Sequence, residues 1–125
     1  MNSIKINLII FHPYSGIGGA DLSLSKLINN LDKNIYKIDF ICLNDQKISK
    51  YIKKKIKIHI IKSTKTIFSI FKVRKIIKNN IKKNYKKIIF ISNQNFVNIL
   101  SYFITLNLND KIKKIGIERN HLSEL

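Results

Sequence analysis

The chain has one cysteine, Cys42, which excludes an internal disulfide and any metal cluster built from cysteines. Cys42 lies within an apolar run, where a small thiol packs as core. Acidic residues are few: 7 Asp and Glu stand against 24 Lys and Arg, a formal net charge of +17. A surplus of that size attracts phosphates, nucleic acid or anionic lipid. Lysine is nonetheless spread over nearly every segment, and Ile and Asn are equally pervasive, so much of the charge reads as solvated surface set by composition. No apolar run approaches the roughly 18 residues of a membrane span. The N-terminus lacks a basic region followed by an apolar stretch and cleavage site, so the sequence reads as that of a cytoplasmic protein. No internal repeat, no Pro- or Ser-rich linker and no low-complexity tail divides the chain.

With 125 residues, 45% of them hydrophobic, one domain with a real core is expected. The first apolar run, residues 4–11, is rich in β-branched residues and breaks at His12, Pro13 and the glycines beyond, as a strand followed by a loop does. Leu24, Leu27, Ile28 and Leu31 recur at helical spacing, which predicts a helix over residues 20–31. Further strands are predicted over 37–43, 57–62, 87–92 and 112–117, with a short helix in the Lys-rich connector 48–55. Ile67, Ile70, Val73, Ile77 and Ile81 trace one stripe of an amphipathic helix over 66–83. Phe96, Val97, Leu100, Phe103 and Ile104 predict another helix over 93–106. Strands alternating with helices imply a mainly parallel sheet of about five strands in a Rossmann-like three-layer α/β domain.

Gly16, Gly18 and Gly19 sit between the first strand and the first helix, where missing side chains let backbone N–H groups and a positive helix end approach an anion. A G-x-G-x-x-G match would require glycine where Asp21 stands, and no Lys-Ser or Lys-Thr follows as in a P-loop. The longer string is more specific. Gly18-Gly19-Ala20-Asp21, a helix carrying Leu22, Leu24, Leu27 and Leu31, and the strand Tyr36-Lys37-Ile38-Asp39-Phe40-Ile41-Cys42-Leu43 together resemble the start of family-4 glycosyltransferases. Members typically show Gly-Gly-Ala-Glu there, and Asp21 is a shortened counterpart of that Glu. The last strand runs into Glu118-Arg119-Asn120, similar to a Ser-Glu-Arg-Asn segment in one branch of the family, with Ile117 in place of the Ser.

The resemblance implies one half of a GT-B fold, in which two Rossmann-like domains face each other across a cleft. The N-terminal domain mainly binds the acceptor and lends its glycine loop to the donor diphosphate; the C-terminal domain, for which these residues hold no counterpart, binds most of the nucleotide sugar. The implied activity is hexosyl transfer from a nucleotide-diphosphate sugar to a glycan or lipid-linked acceptor, as in cell-surface polysaccharide synthesis, and the 125-residue chain alone is expected to be inactive. The nucleotide sugar is then a substrate; no cofactor and no metal site are expected.

On this reading Gly16, Gly18, Gly19 and Ala20 lie near the donor diphosphate, against the plainer alternative of a tight turn without a ligand. Asp21 either contacts substrate or complements the helix dipole. His12, at the carboxyl edge of the sheet, and Asn93, after the fourth strand, are cleft candidates, though Ser92 or Asn93 also suits a helix cap. Glu118, Arg119 and Asn120 are placed in the cleft, and His121 occupies the region where members often carry a histidine close to the donor sugar. His59, alternating with Ile58 and Ile60, reads as an outward-facing strand residue. Lys53, Lys54, Lys55, Lys82 and Lys83 could rest on an anionic membrane surface. Tyr102 and Phe103 at helical spacing read as core, which argues against nucleic acid. Two alternatives remain: a basic binding module for nucleic acid or anionic membrane, motivated by the net charge of +17, and a dinucleotide-binding Rossmann domain, motivated by the glycines and by Asn44-Asp45 after the second strand.

Overall fold

Short runs dominated by Ile, Phe and Leu form five strands: β1 (Ile6–Phe11), β2 (Tyr36–Leu43), β3 (Lys57–Ile61), β4 (Lys87–Asn93) and β5 (Ile112–Ile117). Helices α1 (Gly19–Asn30) and α2 (Ile70–Ile81) lie between them, α2 entered through a 3-10 turn over Thr66–Ser69. The structure, a computed structural model, describes residues 6–12, 19–44, 50–53, 56–63, 65–83, 85–93, 104–105, 108 and 112–117. All five strands pair in parallel in the order β3-β2-β1-β4-β5. Parallel strands need long crossovers, and those carrying α1 and α2 cover opposite faces, giving the expected Rossmann-like three-layer α/β domain.

The period of two along each strand sorts the core into two halves. Leu8, Ile10, Ile38, Phe40 and Cys42 face α1 and pack on Leu24 and Ile28. Ile9, Phe11, Ile41, Leu43, Ile88 and Phe90 face α2 and pack on Val73 and Ile77, with Ile104 joining them. Cys42 is thus a buried core thiol. The outermost strands, β3 and β5, leave Lys57, Lys113 and Lys114 exposed. Among the described residues no helix is long and apolar enough to cross a membrane.

Several expectations shift in detail. Leu27 is about half exposed, because Ser25 takes the buried flank beside Leu24 and Ile28, its hydroxyl donating to the Leu22 carbonyl at 2.9 Å. Ile67 is also exposed: it lies in the 3-10 turn, whose three residues per turn rotate it out of phase with the α2 stripe. In the connector before β3, Lys50 and Tyr51 are in 3-10 conformation, and Ile52 and Ile56 pack against the α1 side of the core; residues 48, 49, 54 and 55 of the helix expected there lie outside the described residues. Asn93 is the last residue of β4, and residues 94–103 of the helix expected over 93–106 lie outside the described residues.

Candidate functional site

In an open parallel sheet, ligands bind outside the carboxyl ends of the strands where the winding direction reverses. Here the reversal falls between β1 and β4, since the chain moves outward from β1 to β2 and β3 and then returns to the other side of β1. Phe11 is level with Ser92, and Ser92 with Gly116, so β1, β4 and β5 end side by side. With strand spacings of roughly 4.8 Å, the exits of β1 and β5 lie about 10 Å apart.

Helix α1 begins at that edge and runs back toward the amino edge, where the Asn29 side chain is stitched to the segment entering β3. Its Nδ2 donates to the Tyr51 carbonyl at 3.0 Å, and its Oδ1 accepts from the Lys53 N–H at 2.7 Å. Gly19, Ala20 and Asp21 are therefore the first-turn residues of α1, whose N–H groups have no partner within the helix and carry the positive end of its dipole. Asn93 is the last residue of β4, level with Ile117. Gly16, Gly18, Glu118, Arg119, Asn120 and His121 lie outside the described residues. The strands that lead to these two segments nevertheless end on one edge.

His12 stands directly after β1 on the same edge, and its backbone N–H donates to the Ile41 carbonyl at 2.9 Å. Its side chain is only 3% exposed and tilts against Phe40, ring centroids 6.2 Å apart, so it underlies the edge more than it projects from it. Asn44, after β2, adopts a left-handed conformation with φ of 51°. Its amide is committed to the neighbouring strand end: Nδ2 donates to the Ser63 carbonyl at 2.8 Å, and Oδ1 accepts from the Ser63 N–H at 3.3 Å. That pairing ties β2 to β3 and occupies a side chain the dinucleotide alternative would employ; Asp45 lies outside the described residues.

Sequence reasoning missed a polar cluster on the α2 face, toward the amino edge. Asp39 of β2 is buried, and its Oδ2 accepts from Asn7 Nδ2 at 2.8 Å and Asn80 Nδ2 at 2.9 Å. Asn80 also donates to Asn7 Oδ1 at 2.8 Å, and Asn7 to the Lys37 carbonyl at 3.0 Å, so both protons of each amide are used. Oδ1 of Asp39 lies 2.9 Å from His59 Nε2, which must carry the proton, because a carboxylate only accepts. His59 consequently turns toward α2 and Asp39 instead of outward. Burial alone would raise the Asp39 pKa, but the hydrogen bonds from His59 and Asn7 and the charges of Lys37 and His59 outweigh it and hold the carboxyl well below the usual range. Burial, with the Asp39 charge adding to it, raises the pKa of the nearby Tyr85. The visible signal was an acid inside the otherwise apolar run 38–43, which demands partners.

This cluster clamps α2 to β1, β2 and β3, and it lies away from the edge where the glycine segment begins. Among the described residues no group of three His, Cys, Asp or Glu side chains could hold a metal ion. Comparison of the chain with protein-family models, with curated proteins and with solved structures finds no match.

Proposed function

We propose that the chain is the acceptor-side, Rossmann-like half of a two-domain GT-B glycosyltransferase. The observation that carries this reading is the reversal of winding between β1 and β4. β1, whose end precedes the Gly16–Gly18–Gly19 segment and the positive end of α1 in sequence, and β5, whose end precedes Glu118, Arg119, Asn120 and His121, both finish on the same edge.

In the transfer, the bond from the anomeric carbon to the diphosphate breaks with its electron pair on the departing oxygen, and the acceptor hydroxyl oxygen forms the new bond as its proton passes to the departing diphosphate. Negative charge grows on the diphosphate, and first-turn N–H groups at Gly19, Ala20 and Asp21, preorganised by the helix, suit stabilising it. On this reading Asn93 and the 118–121 segment border the acceptor side, and the buried His12 underlies it. The remaining nucleotide contacts come from a second domain, in the same polypeptide or another, and the acceptor is a glycan or a lipid-linked glycan at the inner face of a membrane.

Titration with UDP- and GDP-sugars, with NAD in parallel, tests this. A nucleotide sugar is expected to bind, and Gly18→Val and Gly19→Val, whose branched side chains obstruct the approach of a phosphate, to weaken it at least about tenfold. Tight NAD binding instead would transfer the site to the dinucleotide reading. Sugar transfer by this polypeptide alone would refute its role as half of the enzyme.

A further inference from the structure

We infer that the entrance of α2 is an anionic-membrane docking tip, formed by Ile67, Phe68 and Phe71 within a field of lysines. These three apolar side chains are 48%, 61% and 81% exposed, on the 3-10 turn and the first turn of α2. They are contiguous, unlike the single exposed Ile35 or Tyr51 elsewhere. Lone exposed hydrophobics are ordinary, whereas clustered protruding ones mark a surface for another apolar phase. A Phe with four-fifths of its surface in water protrudes, so it cannot be explained as a core residue of this domain.

Charge selects the occupant. Lys65 precedes the turn, and Lys72, Lys75 and Lys78 follow Phe71 along the exposed face of α2. Between Asp45 and Asp110 the chain has no Asp or Glu, so this surface has no nearby acid in sequence to cancel its positive charge. Phenylalanine with no polar handle, ringed by lysines whose stems reach sideways to phosphate, is the composition of interfacial membrane insertion. Nucleic acid fits less well: Ile67 has no ring to stack on a base, and a protruding tip cannot cradle one. The lysines at 53, 82 and 83 stand at the opposite, amino edge, without a contiguous apolar group beside them among the described residues.

Because α2 begins where β3 ends, docking by this tip turns the carboxyl edge of the sheet toward the bilayer. The inference stands on the tip alone and is independent of sugar transfer; its test needs no nucleotide sugar, so either can fail without the other.

The test is binding of the full chain to vesicles of equimolar phosphatidylglycerol and phosphatidylcholine, compared with phosphatidylcholine alone. Binding is expected only with the anionic lipid. Phe68→Ser and Phe71→Ser should each weaken it about tenfold, and Lys72→Ala or Lys75→Ala about fivefold, while the circular dichroism spectrum stays unchanged. Leu27→Ser, on α1 across the sheet, should leave it unaltered. The chain has no tryptophan, so Phe71→Trp adds a single reporter whose emission should shift to the blue and be quenched by brominated acyl chains. Binding indifferent to both Phe substitutions, a reporter that stays in water, or Phe-dependent binding to RNA or an acidic peptide but not to vesicles would each overturn the inference.

Discussion

Replacing Asn80 with Asp reverses the pH dependence of the buried cluster while hardly altering its shape. In the native chain Asn80 Nδ2 donates to Asp39 Oδ2 at 2.9 Å and to Asn7 Oδ1 at 2.8 Å. In Asn80→Asp an oxygen replaces that nitrogen, so acceptor faces acceptor and two carboxylates share one pocket. At 2.9 Å, with an effective dielectric of about 20, their repulsion is about 6 kcal/mol, enough that one carboxyl takes up a proton in the folded state. We expect the variant to be about 4 kcal/mol less stable than wild type at pH 7, which lowers the melting temperature by roughly 15 °C for a chain of this size.

The sign follows from linkage. In the variant the folded state binds one more proton than the unfolded state, whose carboxyls titrate near about 4, so stability rises as pH falls, by up to about 1.4 kcal/mol per unit. In wild type the Asp39 pKa is lowered on folding; its contribution is therefore complete above the unfolded value and disappears as pH falls below it. Between pH 7 and 5 the variant should gain stability while the Asp39 contribution in wild type stays flat. Urea unfolding followed by circular dichroism at both pH values measures this. A variant as stable as wild type at pH 7, or one that weakens toward pH 5, would refute the cluster as described.

Three further outcomes are expected. Asp39→Asn should lose stability at pH 7 and show a shallower decline below about pH 4 than wild type, read as urea midpoints across the acid range. Ile77→Ala, on the buried face of α2, should cost about 3 kcal/mol, whereas Leu27→Ala on the half-exposed flank of α1 should stay within about 0.5 kcal/mol; equal losses in thermal melts would contradict the assigned rotation of α1. Asn44→Ala should cost about 2 kcal/mol, combining left-handed strain with the lost Ser63 pairing, and Asn44→Gly should recover about half of that in the same melts, since glycine tolerates a φ of 51°.

Strand positions were legible because continuous β-branched runs have few alternatives, and β5 matches its predicted bounds of 112 and 117. The same runs imply fully buried strands, hence parallel pairing and helices on both faces. Side-chain direction on β3 was not legible. Lys57, His59 and Ile61 point one way and Ile58 and Ile60 the other, so both faces are mixed; the direction of His59 is decided by Asp39, twenty residues away in sequence, and by the packing of α2. Asn7, Asp39 and Asn80 meet only because β1, β2 and α2 converge, and no local period announces such a contact. For the candidate site, the sequence located the glycines and the 118–121 segment, while the sheet adds what spacing could not supply: the strands leading to them end on one edge, at the reversal between β1 and β4.

The lysines on the outermost strands bear on how far this sheet can grow. Strand edges offer unsatisfied backbone groups to any passing chain, and an Ile-rich sheet would otherwise be a template for stacking into fibres. Lys57 on one margin and Lys113 and Lys114 on the other bring like charges together whenever two copies align edge to edge. The same basic surplus that dominates the composition therefore acts as a solubility guard, one that concentrated salt or a polyanion would disarm.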